Sequence, residues 1–327
     1  MRVLVTGGAG YVGSVSVEAL VAAGHDVVVL DDLSTGHRTA DLAGARLVAG
    51  SYGDRATVAG ILEAERIDAV LHCAARSIVA ESIADPARYY RENVVGGIAL
   101  LDALRNAAVD RLVISSTAAV YGVPGTVPIP ETAPLAPINP YGESKRTLES
   151  AAAWYGSAYG LRSVSLRYFN VAGASARNGE VHVPETHLIP NVLAAADGGE
   201  PVRLFGSDYP TPDGTPVRDY LHVEDLAAAH LAALEATAPG DRRTDVPLVC
   251  NLGSGAGASV KAVVAAAERV VGRSIPRTQG PRRAGDPPAL VAAIDRAREV
   301  LGWRPERSSL DEMIGSAWRR RQALRGG

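Results

Sequence analysis

Lysine is nearly missing from this chain of 327 residues: only Lys145 and Lys261 occur, so arginine supplies 33 − 2 = 31 of the 33 basic residues. Cysteine is also scarce. Cys73 and Cys250 sit in the apolar contexts "VLHCAA" and "PLVCNLG", which excludes a disulfide framework and predicts two reduced, buried thiols and no metal site. Acidic and basic residues nearly balance, at a net charge of −3, and no basic tract suggests a nucleic-acid partner. No apolar run is long enough to cross a bilayer. The amino terminus, "MRVLVTGGAG", has one arginine and a very short apolar run, so it does not read as a signal peptide. These absences predict a cytoplasmic globular protein. With 47% hydrophobic residues, the length suits one large or two modest domains with a real core.

What is present is an alternation of short apolar runs with helical stretches. Residues 2–5, 26–30, 45–49, 68–72, 111–115 and 162–169 read as strands, and 12–23, 54–65, 86–107 and 140–159 as helices with apolar residues three and four apart. Gly24 and Gly160 fall where helix C-caps belong. Strands that are apolar at nearly every position predict a parallel sheet covered on both faces, a doubly wound α/β fold. Beyond residue 170 the pattern loosens. Segments 172–187 and 206–217 look like long loops, and helices at 225–237, 259–271, 295–301 and 309–323 mix with short strands. The expected division is 1–170 as a dinucleotide-binding Rossmann domain, some later segments folding back onto it, and 171–327 as a smaller, mainly substrate-binding mixed α/β domain.

"TGGAGYVG" follows the first strand and opens the first helix, with Gly7, Gly10 and Gly13 spaced three apart. Glycines there allow a tight turn and close approach of a pyrophosphate to the positive helix end. The next strand ends at Asp31, where an acid accepts hydrogen bonds from an adenosine ribose and favours NAD. In the rival reading Asp31 and Asp32 form a solvated turn and Arg38 receives a 2′-phosphate. "NPYGESK" places Tyr141 and Lys145 on one helix face. A phenol titrates near 10 and is a poor base at neutral pH. A nearby ammonium, together with an oxidised nicotinamide, favours the phenolate, so Tyr141 is the candidate base and Lys145 its tuner.

The strings "TGGAGYVGS", "HCAA", "SSTAAVYG", "YGESK", "LRYFNVAGA", "FGSDYPTPDGTPVRDYLHVEDLA" and "PRRAGDPP" resemble the extended short-chain dehydrogenase/reductase superfamily. Within it they are most similar to the UDP-glucose 4-epimerase family, over nearly the whole chain. The resemblance implies firmly bound NAD that is reduced and reoxidised within one turnover, and a UDP-sugar substrate oxidised transiently at C4. Tyr141 is implied as the base toward the 4-hydroxyl, Thr117 as its hydrogen-bond partner, and Lys145 as a ligand of the nicotinamide ribose. Contacts to NAD are implied for Gly7, Gly10, Tyr11, Val12, Gly13, Asp31, Asp32 and Ser34. Further contacts are implied for Ser51, Tyr52, Ala74, Ala75, Arg76, Asn93, Ser115 and Phe169. On the substrate side it implies Asn170, Arg218 and Arg283 at the pyrophosphate and sugar, with Phe205 and Tyr220 near the nucleotide. His187 and Leu188 belong to the substrate loop, and Asp286 and Leu290 to the sugar pocket, whose width the residue at 290 is expected to set. His72 and His222 read as structural.

Two departures stand out. An acid usual after the third strand is replaced by Ser51 and Tyr52, and a lysine found in some members is absent from "HCAARSIVAES", where Arg76 is expected to serve the cofactor phosphates instead. A nucleotide-sugar dehydratase needs an acid and a base beside the sugar, and the places such enzymes use are Ala118 and Ala119 here. UDP-N-acetylhexosamines and UDP-pentoses remain alternative substrates, and an NAD-sensing regulator is the non-enzymatic rival. The resemblance further implies a homodimer through the helices at 86–107 and 140–159, where Ala151, Ala152 and Ala153 permit close approach.

Overall fold

The computed structural model describes residues 1–182, 184–244, 247–283 and 286–326; Ala284 and Gly285 of "PRRAGDPP" lie outside them. The first six strands are β1 (Arg2–Thr6), β2 (Asp26–Asp31), β3 (Arg46–Ala49), β4 (Ala69–His72), β5 (Arg111–Thr117) and β6 (Arg162–Tyr168). With Leu248–Leu252 they form a seven-stranded sheet in the order Leu248–Leu252, β6, β5, β4, β1, β2, β3. Every pairing in it is parallel. The chain leaves β1 toward β2 and later returns to β1's other side at β4. The carboxyl ends at that reversal are where a doubly wound fold binds ligands.

Successive side chains of β1 go to opposite faces. Val3 and Val5 join one core with Val17, Leu20, Leu226 and Leu234, whereas Leu4 joins a second with Val58, Leu100, Leu104 and Leu148. Helices Tyr11–Ala22 and Val223–Ala236 thus cover one face, and Arg55–Ala64, Gly96–Asn106 and Pro140–Tyr159 the other. Burying each such aliphatic side chain contributes about 1.5–3 kcal/mol. The sequence reading placed these elements within one or two residues, with one break in kind: 86–107 is Pro86–Tyr89, a π-helical stretch Tyr90–Val95, then Gly96–Asn106. Gly160 caps the helix Pro140–Tyr159 in the left-handed conformation at φ +76°.

A third core belongs to the later part of the chain. Helices Leu188–Ala196, Val260–Val271 and Leu310–Gly326 pack there on strands Val202–Phe205 and Arg277–Gly280 around Val192, Val263, Ile275 and Ile314. The first of these helices and Val79–Ala84 were not anticipated. Strand Asn170–Ala172 pairs with Tyr220–His222, and Val217–Arg218 lies between Ala258–Ser259 and Ala289–Leu290.

Candidate active site

The turn after β1 has the shape a dinucleotide requires. Gly7 is left-handed at φ +72°, and a Cβ on Gly13 would stand 2.0 Å from Gly7 O, so only glycine lets helix Tyr11–Ala22 start this close to the strand. A Cβ on Gly10 would meet only Gly7 O, at 3.4 Å, among the described residues. The helix therefore presents its first N–H groups to open space, which suits a pyrophosphate. The side chain of Tyr11 points elsewhere, donating to Gly173 O at 2.6 Å, so only its backbone, with that of Val12, is available at the helix start.

Asp31 ends β2 at 7% exposure. Its carboxylate accepts from Ala9 N (2.9 Å) and Leu33 N (2.8 Å), and burial raises its pKa against those two bonds. Each oxygen keeps a second lone pair for a ribose hydroxyl. Asp32 is exposed and accepts from the N–H and hydroxyl of Ser34. Ser51 is exposed after β3, and Tyr52 donates to Glu92 O at 2.7 Å and packs edge-on to His72.

Three further residues expected at the cofactor have defined surroundings in this half of the site. The Arg76 guanidinium does not stand free for phosphates; it pairs with Glu92 at 2.5 Å. Asn93 clamps the backbone of Arg76 through both its amide groups (2.8 and 3.0 Å) and reaches Ser144 at 3.0 Å, so it positions Ala74, Ala75 and Arg76 and ties them to the helix of Tyr141. Phe169 is buried among Ala118, Tyr121, Ile129 and Ile294.

Asn139 caps the helix Pro140–Tyr159 by accepting from Gly142 N at 2.8 Å, with Pro140 at the first helical position. That start sets Tyr141 beside Thr117 at the end of β5, close enough for the Thr117 side chain to draw the phenol pKa down. One turn on, Lys145 is 3% exposed and donates from Nζ to Ser115 O at 2.7 Å. Burial lowers its pKa to about 8, while Cys73 and Glu149 pull it back up. The phenol of Tyr141 is raised by burial and drawn down by Thr117. Burial is therefore the dominant effect on the phenol, and the lowering expected from Lys145, whose ammonium is bonded to Ser115 O, is not among its causes.

The other half is a cleft of about 470 Å³ lined by Asn170, His187, Leu188, Phe205, Arg218, Tyr220, Arg283 and Asp286. Eight of the ten expected substrate residues thus meet there. The remaining two adjoin it: Thr117 is in register with Tyr168, two residues before Asn170, and Leu290 is in register with Arg218. Arg218 pairs with Asp286 and donates to Val217 O. It does not pair with its neighbour Asp219, whose buried carboxylate instead takes the N–H groups of Ser254, Gly255 and Ala292. Arg283 lies 4.0 Å over the ring of Phe205. Two guanidinium groups and an aromatic face suit a nucleoside diphosphate.

His72 and His222 are buried; His72 bonds Thr6 Oγ1 at 2.7 Å, and His222 bonds Ser316 Oγ at 2.9 Å. Two supporting groups were not anticipated. Arg167 and Glu149 form a buried pair at 2.6 Å beneath the site, with Tyr121 and Ser116 bonded to it. Tyr168 contacts His230 Nε2 at 2.5 Å, and His230 Nδ1 meets Ser16 at 2.9 Å. The strings "SLRYF" and "AAAHLAA" put a charge or an imidazole inside apolar runs, which was the available signal.

The profile of the NAD dependent epimerase/dehydratase family matches residues 3–253. The UDP-glucose 4-epimerase of Lactobacillus helveticus is 50% identical over 322 residues, covering 98% of this chain and 96% of its own. The crystal structure of UDP-glucose 4-epimerase from Brucella ovis in complex with NAD superposes with a TM-score of 0.93 at 45% identity, covering 98% of each chain. That from Stenotrophomonas maltophila, with bound NAD and formylated UDP-arabinopyranose, gives 0.94 at 38% identity over 100% of both. With a glycine turn, an acid-ended second strand and a Tyr–Lys helix in one sheet, the chain belongs to the NAD dependent epimerase/dehydratase family.

Proposed function

We propose that the protein interconverts UDP-galactose and UDP-glucose by transient oxidation at C4, as an NAD-dependent isomerase. The observation that carries this is the Thr117–Tyr141 hydroxyl pair beside buried Lys145, standing next to a cleft that holds two arginines. Bound NAD supplies a hydride acceptor and donor, and in its oxidised form a positive charge. Tyr141 takes the proton of the 4-hydroxyl and returns it after the 4-ketose has turned its other face. Thr117 holds that hydroxyl in line with the phenol. Lys145, anchored at Ser115 O, lies one helical turn from Tyr141 and favours the phenolate once the site is closed to water. Arg218 and Arg283 hold the diphosphate, so that the sugar alone moves.

Proton NMR of the purified protein with UDP-galactose and no added reductant tests this. Anomeric signals moving to a UDP-galactose/UDP-glucose mixture without net NADH are expected; unchanged signals with NAD bound would refute it. The alternative substrates, UDP-N-acetylhexosamines and UDP-pentoses, are tested by the same experiment with each sugar nucleotide in turn.

The chain acts, on this reading, as a homodimer. Trp154 is 72% exposed and Tyr159 53% on one helix, with Val95 at 63% and Tyr90 at 42% on the other, an apolar surface of the kind that marks an interface. Of the three alanines, Ala152 lies in the protein's own core and Ala151 packs against it, which leaves Ala153 for the contact. Trp154→Glu is expected to halve the mass in analytical ultracentrifugation. No helix among the described residues is long and apolar enough to cross a membrane.

A further inference from the structure

The loop leading into helix Leu188–Ala196 carries a grouping of which only His187 was expected to meet the substrate. Glu180, His182 and His187 each bring one ligand atom to within 4.8 Å of the others. Glu180 Oε1 is 2.5 Å from His182 Nδ1, and Oε2 is 3.9 Å from His187 Nδ1. His182 Nδ1 is shut off from solvent and, despite that closeness, makes no aligned hydrogen bond. Glu185 Oε1 lies 2.7 Å from His187 Nδ1 and also takes the N–H groups of Thr186 and His187. Glu185 on Nδ1 of His187 fixes that imidazole with its proton there and its Nε2 lone pair free, the arrangement that orients metal-binding histidines. A cavity of about 240 Å³, lined by Tyr11, Gly173, Glu180, His187 and Arg320, opens beside the grouping and gives access to it.

We propose that Glu180, His182 and His187 form a binding site for one divalent transition-metal ion of the zinc class, with Glu185 orienting His187. Two imidazoles and one carboxylate match the donor preference of zinc, whereas magnesium and calcium require oxygen donors. Arg320, Arg321 and Arg325 line the same cavity; Arg321 and Arg325 are paired with Asp197, so the carboxylates of Glu180 and Glu185 stand against Arg320. Bonds of about 2.0–2.2 Å place tetrahedral ligand atoms roughly 3.3 Å apart, so the Glu180–His182 contact at 2.5 Å opens, and the wider separations within the 4.8 Å grouping close, when the ion enters. Because His187 and Leu188 line the substrate cleft on the same loop, the ion fixes one wall of that cleft.

Equilibrium dialysis of chelator-treated, NAD-loaded protein against zinc chloride, read by elemental analysis, tests the site directly and independently of epimerase activity. One equivalent per chain with a Kd at or below about 10 μM is expected, weakened at least tenfold in His182→Ala and about ten- to 100-fold in Glu185→Gln. No saturable binding by about 100 μM, or equal binding by His182→Ala, overturns the proposal. Cobalt added to the unaltered protein gives a second readout needing no variant: the intense visible bands of a four-coordinate ion support the site, and their absence refutes it.

Discussion

Replacing Lys145 by methionine separates what the residue does for function from what it does for stability. The side chains are similar in length, so packing around a residue 3% exposed is kept while the charge is lost. Burial holds the ammonium at about 8 against an ordinary 10.5. At about 1.36 kcal/mol per unit, keeping it charged in the fold costs about 3 kcal/mol near neutral pH. The Nζ bond to Ser115 O at 2.7 Å returns about 1.5–3 kcal/mol. The variant is therefore expected to be as stable as the wild type at pH 7, or up to about 2 kcal/mol more stable. Its epimerase rate is expected to fall about 100-fold or more. The pH dependence fixes the sign. Between pH 8 and 10.5 the unfolded chain keeps the lysine proton and the folded chain has released it, so wild-type stability rises with pH on this account. Buried Cys73 and Cys250, pushed up to about 12, act oppositely above pH 9, Cys250 equally in both proteins and Cys73 at least as strongly in the variant, which lacks the ammonium that draws its thiol down. The stability difference, from urea titrations of nucleotide-free protein, should thus move toward the wild type by about 3 kcal/mol across that window. A variant more than about 2 kcal/mol less stable at pH 7, or a pH-independent difference, refutes the reasoning.

Tyr141→Phe keeps the ring and NAD binding and removes the proton acceptor, so kcat should drop about 10²–10⁴-fold with little change in KM; single-turnover NMR checks it. Arg283→Ala removes a contact that holds the substrate in all its states, and KM should rise about ten- to 100-fold at nearly constant kcat. Glu149→Ala leaves Arg167 charged and buried, and should lose about 3–5 kcal/mol in urea unfolding, most of it recovered in the Glu149→Ala/Arg167→Met double variant.

The sequence by itself determined the local elements and the motifs built on them. Alternation of Val3, Leu4 and Val5 between two cores is a property of one strand. The glycine turn and the Asn139-capped start of the Tyr141 helix span a few residues each, where backbone sterics and capping act. Fixed spacing on one helix is also why Tyr141 and Lys145 were legible as a pair.

Only the tertiary structure decided which partner each charged group takes. Arg76 pairs with Glu92, and Arg218 passes over adjacent Asp219 to meet Asp286, 68 residues away. Lys145 spends its ammonium on Ser115 O, so that burial governs both it and Tyr141. In such cases the energy depends on desolvation and on geometry set by distant segments closing together, and neither is written in spacing along the chain. The loop "EVHVPETH" shows the same limit: its histidines and glutamates were visible, but their convergence depends on how the loop folds onto the wall beside Tyr11.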